Sequence, residues 1–295
     1  MHPDFYRNVR EIDFGGWAFG MNTLYHFNAA HSVFDKYLSP KAMDIVIRYN
    51  FNTDYYSAIG WKALQYKVYP LFPVARYWYK NIDHFDEMNS SEEVLATWRH
   101  HRDLLMSVAD DAKFPPNKLR WMLRILGRSS HALTDISSHT NYVHLMRKYY
   151  STEAGPRGEV AASGKSVDDF LRDSGPSFGS MVNDAKFADF REKYLPELFA
   201  YQSIVDKGPR SHSESGVDSP KSTACANDPK LFEVSFSMSL RNTAEVVEAL
   251  FEKLKKENSV KYKALTEAYR DVQAAAPGKY EKRSRWWAEK VGGWD

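Results

Sequence analysis

Leu119-Arg120-Trp121-Met122-Leu123-Arg124-Ile125-Leu126-Gly127-Arg128-Ser129-Ser130-His131-Ala132-Leu133-Thr134-Asp135-Ile136-Ser137-Ser138-His139 is the stretch on which the reading of this chain turns. Leu119, Met122, Leu123, Leu126 and Leu133 recur at helical spacing and form an apolar stripe. His131, Asp135 and His139 follow at i, i+4 and i+8. At about 100° per residue these three project within an arc of roughly 80° on one face, with ~5.4 Å of rise per turn. Neutral imidazole and carboxylate are good ligands for zinc and other borderline metals. A carboxylate between two histidines is placed to bridge two ions. Gly127, one turn before His131, leaves open space above the ligand face. The bland alternative is a polar helix face that hydrogen-bonds to neighbouring helices.

Working outward, the flanking sequence is also helical, and no period-two strand pattern stands out. The central helix is expected from near Asn117 to about Tyr142, with Tyr150 as its outer limit. Before it, helices are expected over Asn22 to Tyr37, over about Pro40 to Tyr49, and from Asn52 or Thr53 to Val68. An aromatic, irregular stretch from Pro70 to Met88 follows, and then a helix opened by Ser91 that ends before Pro115-Pro116. Ser151 to Asp184 is Gly/Ser/Pro-rich and reads as a long loop. A helix over about Phe187 to Val205 is expected to kink at Pro196. A polar loop over Lys207 to Pro229 precedes two or three amphipathic helices from Leu231 to Trp287. The expectation is a single all-α domain over 1–295, with irregular loops near 151–184 and 207–229.

Composition bounds the function. The 295 residues can bury a sizeable core, and 43% hydrophobic with 26% charged residues is ordinary for a globular chain. The net charge of +2 lacks the strong basic excess of a dedicated nucleic-acid binder. Cys225 is the only cysteine, which excludes internal disulfides and a cysteine-rich zinc module. No run approaches ~18 consecutive apolar residues, so no transmembrane helix is expected. Met1-His2-Pro3-Asp4-Phe5-Tyr6-Arg7 lacks the pattern of a signal peptide. The expected location is the cytoplasm, or outside the cell if a leader has been removed.

One helix offers too few ligands for a metal site. His26 and His31 lie on an early helix, and His84 sits in the acidic segment Asp83-His84-Phe85-Asp86. Asp54 falls in the first turn of its helix, where capping is its ordinary role. His100 and His101, set among charges, read as a solvated face. His144 lies about 180° around an ideal helix from Asp135 and joins the site only if the helix breaks near Thr140-Asn141.

The run Gly127-Arg128-x-x-His131-x-x-x-Asp135-x-x-x-His139-Thr140-Asn141-Tyr142-Val143 resembles the central helix of the zinc-dependent phospholipase C and single-strand nuclease superfamily, closest to its heterokaryon-incompatibility-like branch. Three further segments are similar in order and spacing. They are Asn50-Phe51-Asn52-Thr53-Asp54-Tyr55-Tyr56, Asp83-His84-Phe85-Asp86, and Ser211-His212-Ser213-Glu214-Ser215-Gly216-Val217-Asp218, the last with Val217 where lysine is usual. The resemblance spans roughly His26 to Asp218. It implies an all-α phospholipase C or nuclease type of domain that binds two or three zinc ions and hydrolyses phosphate esters.

Carried over by position, the resemblance implies that Asp54, His84, His131 and Asp135 hold one ion. Asp135 bridges to a second held by His26. His139 and His212 hold a third, with Asp218 or Glu214 as carboxylate partner. Two departures stand out: with Met1-His2 at the start, the N-terminal tryptophan ligand of the secreted phospholipases is expected to be absent unless processing exposes Trp17 or His2 substitutes, and the step from Asp135 to His139 is four residues where those enzymes have six.

The resemblance gives Asp54 the task of orienting or deprotonating the attacking water. Arg128 is a candidate phosphate contact, with a surface salt bridge as its alternative. Tyr55, Tyr56 and Tyr142 are candidates to line a substrate cleft, with core packing as theirs. The partners expected are a phosphate ester, lipid or smaller, and peripheral membrane contact through aromatic residues such as Trp286, Trp287 and Trp294. One rival is an iron-dependent oxygenase, although the Glu-x-x-His pair of di-iron bundles is missing. The other is a non-hydrolytic membrane-active or cell-death effector with a structural metal.

Overall fold

A computed structural model describes residues 23–50, 53, 81–152, 156–202, 207–217, 220 and 222–272. Among them the protein is all-α. The helices are α1 (Thr23–Phe34), α2 (40–50), α3 (Asn81–His84), α4 (Ser91–Met106), α5 (Leu119–Asp135), α6 (Tyr142–Ser151), α7 (Arg157–Ser163), α8 (Val167–Ser174), α9 (Phe178–Asn183), α10 (Ala188–Lys193), α11 (His212–Ser215), α12 (Thr223–Asn227), α13 (Pro229–Glu257) and α14 (Ser259–Thr266). Extended pairing among the described residues is limited to two isolated bridges, Thr140 with Ala200 and Gln202 with Ser211. None of these helices is long and apolar enough to cross a membrane.

Two helices organise the rest. α5 is amphipathic over its first two turns, and from Gly127 onward every residue except Arg128 is buried. α13, 29 residues long, packs against α1, α4, α5 and α8. Its buried apolar side chains, including Leu231, Phe236, Leu240, Val247 and Phe251, each contribute about 1.5–3 kcal/mol by leaving water. Between them lie small buried polar residues that meet the end of α5. Ser239 Oγ donates to the Thr134 carbonyl at 2.6 Å and Ser235 Oγ to the Ser137 carbonyl at 2.9 Å. Asn242 Nδ2 donates to Ser137 Oγ at 3.1 Å, and its Oδ1 accepts the Phe178 N–H at 2.6 Å.

Several local expectations are corrected. The central helix does not run to Tyr142: it ends at Asp135, passes through turns over 136–141, and restarts as α6. The break is made by long-range partners, because Ser138 O accepts from Val217 N–H at 3.0 Å and His139 O from Tyr201 N–H at 2.8 Å. Most of 151–184 is short helices, not a loop. Its serines and glycine are caps: Ser166 accepts from Asp169 N–H, Ser177 from Ser180 N–H, and Gly164 ends α7 at φ 66°. The expected helix over Phe187 to Val205 is only α10, followed by a 3-10 turn at Leu195–Glu197 that contains Pro196. The 207–229 loop contains α11 and α12. Apart from Thr53, which is helical, the expected helix from Asn52 to Val68 lies outside the described residues, as do the 70–80 part of the aromatic stretch and the end of the chain beyond 272.

Gly127 does not open space above the ligand face. A Cβ there would lie 2.3 Å from the Val46 carbonyl oxygen and 3.0 Å from Asn50 N, so the glycine lets α2 approach α5 backbone to backbone. That contact seats the second half of α2 on the helix that carries His131.

Candidate metal centre

The site is assembled on α5 by elements held from behind. α3 and the turn after it carry Asp83, His84, Phe85 and Asp86. Arg128 of α5 donates to Asp83 from Nη2 at 2.8 and 2.7 Å and from Nε at 3.1 Å. His101 of α4 reaches the Ile82 carbonyl through Nε2 at 2.8 Å. These two grips tie α3 to both α5 and α4. Phe85 and Glu87 then take left-handed backbone, φ 53° and 61°, which an L-residue adopts at a cost of roughly 1–2 kcal/mol. Burial of the Phe85 ring and the bond from Glu87 N–H to the Tyr201 carbonyl at 3.1 Å offset that cost. The sharp turn lets His84 and Asp86 both reach the residues at the end of α5.

Asp135 is the hub. It is fully buried, and among the described residues no backbone N–H or hydroxyl donates to either of its oxygens. Imidazole nitrogens face them instead. His26 Nε2 lies 3.1 Å from Oδ1, and His139 Nε2 lies 3.9 Å from the same oxygen. His131 Nε2 lies 3.3 Å from Oδ2, and His84 Nδ1 lies 3.4 Å from it. One histidine pair therefore serves each oxygen. Burial works to raise the Asp135 pKa, but the charges of His26, His139 and His131 outweigh it and hold the carboxyl well below its ordinary value. It is ionised, the state in which a carboxylate can take a metal ion.

A second group adjoins the first. Asp86 Oδ1 accepts from His139 Nδ1 at 2.9 Å, and the His139 and His212 rings meet edge to face at 4.6 Å. Asp86, His139 and His212 offer ligand atoms within 4.8 Å of one another, as do His26, His131 and Asp135. Burial pushes the Asp86 pKa up, yet the charge and hydrogen bond of His139, with His212 and His84 behind them, leave it below the usual carboxylate range. His212 is fixed by its N–H on the Gln202 carbonyl at 3.1 Å. Gly216 then passes so close that a Cβ would sit 2.7 Å from the His212 carbonyl oxygen.

The donor set fits a transition metal. Ligands ~2.0–2.1 Å from a tetrahedral zinc lie about 3.3–3.4 Å from one another. His131 Nε2 to His84 Nδ1 is 3.3 Å, which with 3.3 and 3.4 Å to Asp135 Oδ2 closes a triangle of that size. Those three atoms make one face of such a tetrahedron.

The structure thus brings together His26, His84, His131, Asp135, His139 and His212. Asp54, Tyr55, Tyr56 and Asp218 lie outside the described residues. Glu214 is exposed and accepts the Gly208 N–H at 2.7 Å, away from the histidines. Arg128, weighed as a phosphate contact, is committed to the buried Asp83 carboxylate. Tyr142, weighed as a cleft residue, is wholly buried, its ring edge-on to Phe178 at 4.9 Å and Phe190 at 6.5 Å. His101, expected on a solvated face, is buried, because it occupies the α4 position that points at α3 while His100 points out. His144 stays exposed despite the break before α6. Asp86 was the residue not assigned from sequence. Its signal was present in the Asp83-His84-Phe85-Asp86 segment, as a second carboxylate two residues from the candidate ligand His84. No protein-family model, curated protein or solved structure matches the chain.

Proposed function

We propose that this protein is a metal-dependent phosphoester hydrolase whose buried His/Asp cluster works with two or three divalent ions, most naturally zinc. The single observation that supports this best is the division of Asp135 between two histidine pairs, His26 and His139 at Oδ1 and His131 and His84 at Oδ2. A carboxylate surrounded in this way would hold cations on both oxygens and offset their repulsion. The motif resemblance from His26 to Asp218 points to the same chemistry and to a phospholipase C or nuclease type of domain.

His84, His131 and Asp135 would hold one ion, with Asp54 as the fourth ligand implied by resemblance. His26 would join Asp135 Oδ1 at a second. His139 and His212 would serve a third, with Asp86 orienting His139 through Nδ1. Ions so held supply a lowered pKa for a nearby water and stabilise charge on phosphoryl oxygens. The chain itself contributes the buried, ionised carboxylates, the fixed imidazole directions and the packed shell formed by α13. Asp54, by resemblance, orients or deprotonates the water. The substrate class is a phosphate ester, either a phospholipid or a smaller mono- or diester.

The test is hydrolysis of bis-p-nitrophenyl phosphate, p-nitrophenyl phosphate and phosphatidylcholine vesicles by the metal-loaded protein. Turnover of at least one, lost on chelation and recovered with zinc, is expected. Full metal content with no hydrolysis of any would overturn the enzymatic reading and favour a membrane-active protein with a structural metal.

A further inference from the structure

We propose that Thr134 is a positioning residue that keeps a proton on Nδ1 of His26, so that Nε2, which faces Asp135, is the ring atom that takes a metal ion. The inference rests on the metal reading above. Thr134 Oγ1 lies 2.6 Å from the His131 carbonyl oxygen, and a carbonyl only accepts, so the one hydroxyl hydrogen is committed there. The same Oγ1 lies 2.8 Å from His26 Nδ1. It has no second hydrogen to give, so Nδ1–H is the donor. A neutral imidazole carries one such proton, which leaves Nε2 with its lone pair. Nε2 is the atom 3.1 Å from Asp135 Oδ1.

The alternative tautomer would put a hydrogen on Nε2. At 3.1 Å it would bond directly to Asp135 Oδ1, and that bond would compete with any ion for both atoms. Thr134 disfavours this state, because a bare Nδ1 would then face the lone pairs of Oγ1. The hydroxyl is itself well fixed. Both residues are buried, and the Thr134 carbonyl accepts from Ser239 Oγ of α13 at 2.6 Å. One turn of α5 therefore supplies His131 and Asp135 and also sets the ring state of His26, which belongs to α1. Outer partners of this kind hold ligand histidines in metal sites generally.

Thr134→Val keeps the shape and removes the acceptor. Competition titration with zinc should show one of the ions bound by the wild-type protein weakened by about 10–100-fold in Thr134→Val. Thr134→Ser, which keeps the hydroxyl, should restore the affinity. With cobalt in place of zinc, the visible d–d bands should change in Thr134→Val and return in Thr134→Ser. Equal affinity and spectra in wild type and Thr134→Val would overturn the inference while leaving the metal reading intact. A wild-type protein that takes up no zinc would overturn the metal reading. A further measurement needs no variant to fold: 15N NMR of the metal-free wild type should find His26 protonated at Nδ1. The opposite tautomer would also overturn the inference.

Discussion

The imidazoles of His26 and His131 lie stacked, centroids 3.9 Å apart and 23° from parallel, with their Nε2 atoms turned to different oxygens of Asp135. Two imidazolium rings in that arrangement would repel, whereas two neutral rings can each face a cation across the shared carboxylate. Removing one ring should therefore cost one ion and spare the other. His26→Ala is expected to lower the zinc-to-protein ratio by about one equivalent, leaving the His84, His131 and Asp135 face loaded. Metal analysis checks this, with His100→Ala, at an exposed position, as the unchanged control. An unaltered ratio in His26→Ala would remove His26 from the ligand set.

His101 should make stability depend on pH in the acid range. Burial outweighs the pull of Asp83 and of the Ile82 carbonyl, with His100 and Arg128 adding to the downward shift, and brings its pKa from 6.5 to about 4. The folded state then refuses a proton that the unfolded state accepts. Above the unfolded value near 6.5 this has no effect. Stability falls as pH drops from there towards 4, by a total on the order of 3 kcal/mol. Melting curves of the metal-free protein between pH 7.5 and 4.5 measure it. His101→Gln, which retains a donor for Ile82, should flatten that part of the profile; a slope equal to wild type would assign the dependence to other groups.

Gly127→Ala should destabilise the protein even though alanine is the better helix former by about 1 kcal/mol. The added methyl meets the Val46 carbonyl at 2.3 Å, and backbone on α2 has to shift. Overpacking of that kind costs about 1–3 kcal/mol, enough to exceed the propensity gain. A lower denaturant midpoint is expected; a higher one would show that α2 does not press on α5.

Tyr142→Phe should leave hydrolysis unchanged and raise or preserve the melting temperature. The hydroxyl is buried and, among the described residues, has no hydrogen-bond partner, so its removal relieves a desolvation cost of about 1 kcal/mol or more. Steady-state kinetics provide the second check. A raised KM would return Tyr142 to the substrate cleft.

The helical class and the His131–Asp135 register on α5 were legible because both depend on local spacing, whereas His139 lies past the end of that helix. The break after Asp135 was not. Ser137, Ser138 and His139 give their carbonyls to Ser235, Val217 and Tyr201, all distant in sequence. Composition misled over 151–184, where Ser166 and Ser177 cap helices and do not mark a loop. His101 was hidden by its charged neighbours, since polarity along the chain does not reveal which residue of a helix turns inward. Asp86 was quoted but given no role, because its partner His139 lies on a turn whose direction only the tertiary bonds set.

The central claim is that Asp135 bridges ions in a multi-metal cluster. The direct measurement is the zinc-to-protein ratio of wild type and of Asp135→Asn after gentle purification and zinc reconstitution. The substitution keeps the shape and removes the negative charge that offsets repulsion between cations. Wild type should hold more than one zinc per chain. Asp135→Asn should lose at least one, melt at a lower temperature because metal binding and folding are linked, and lose hydrolysis. A wild-type chain that binds no zinc, or an Asp135→Asn protein with full metal content and an unchanged melting temperature, would contradict the account.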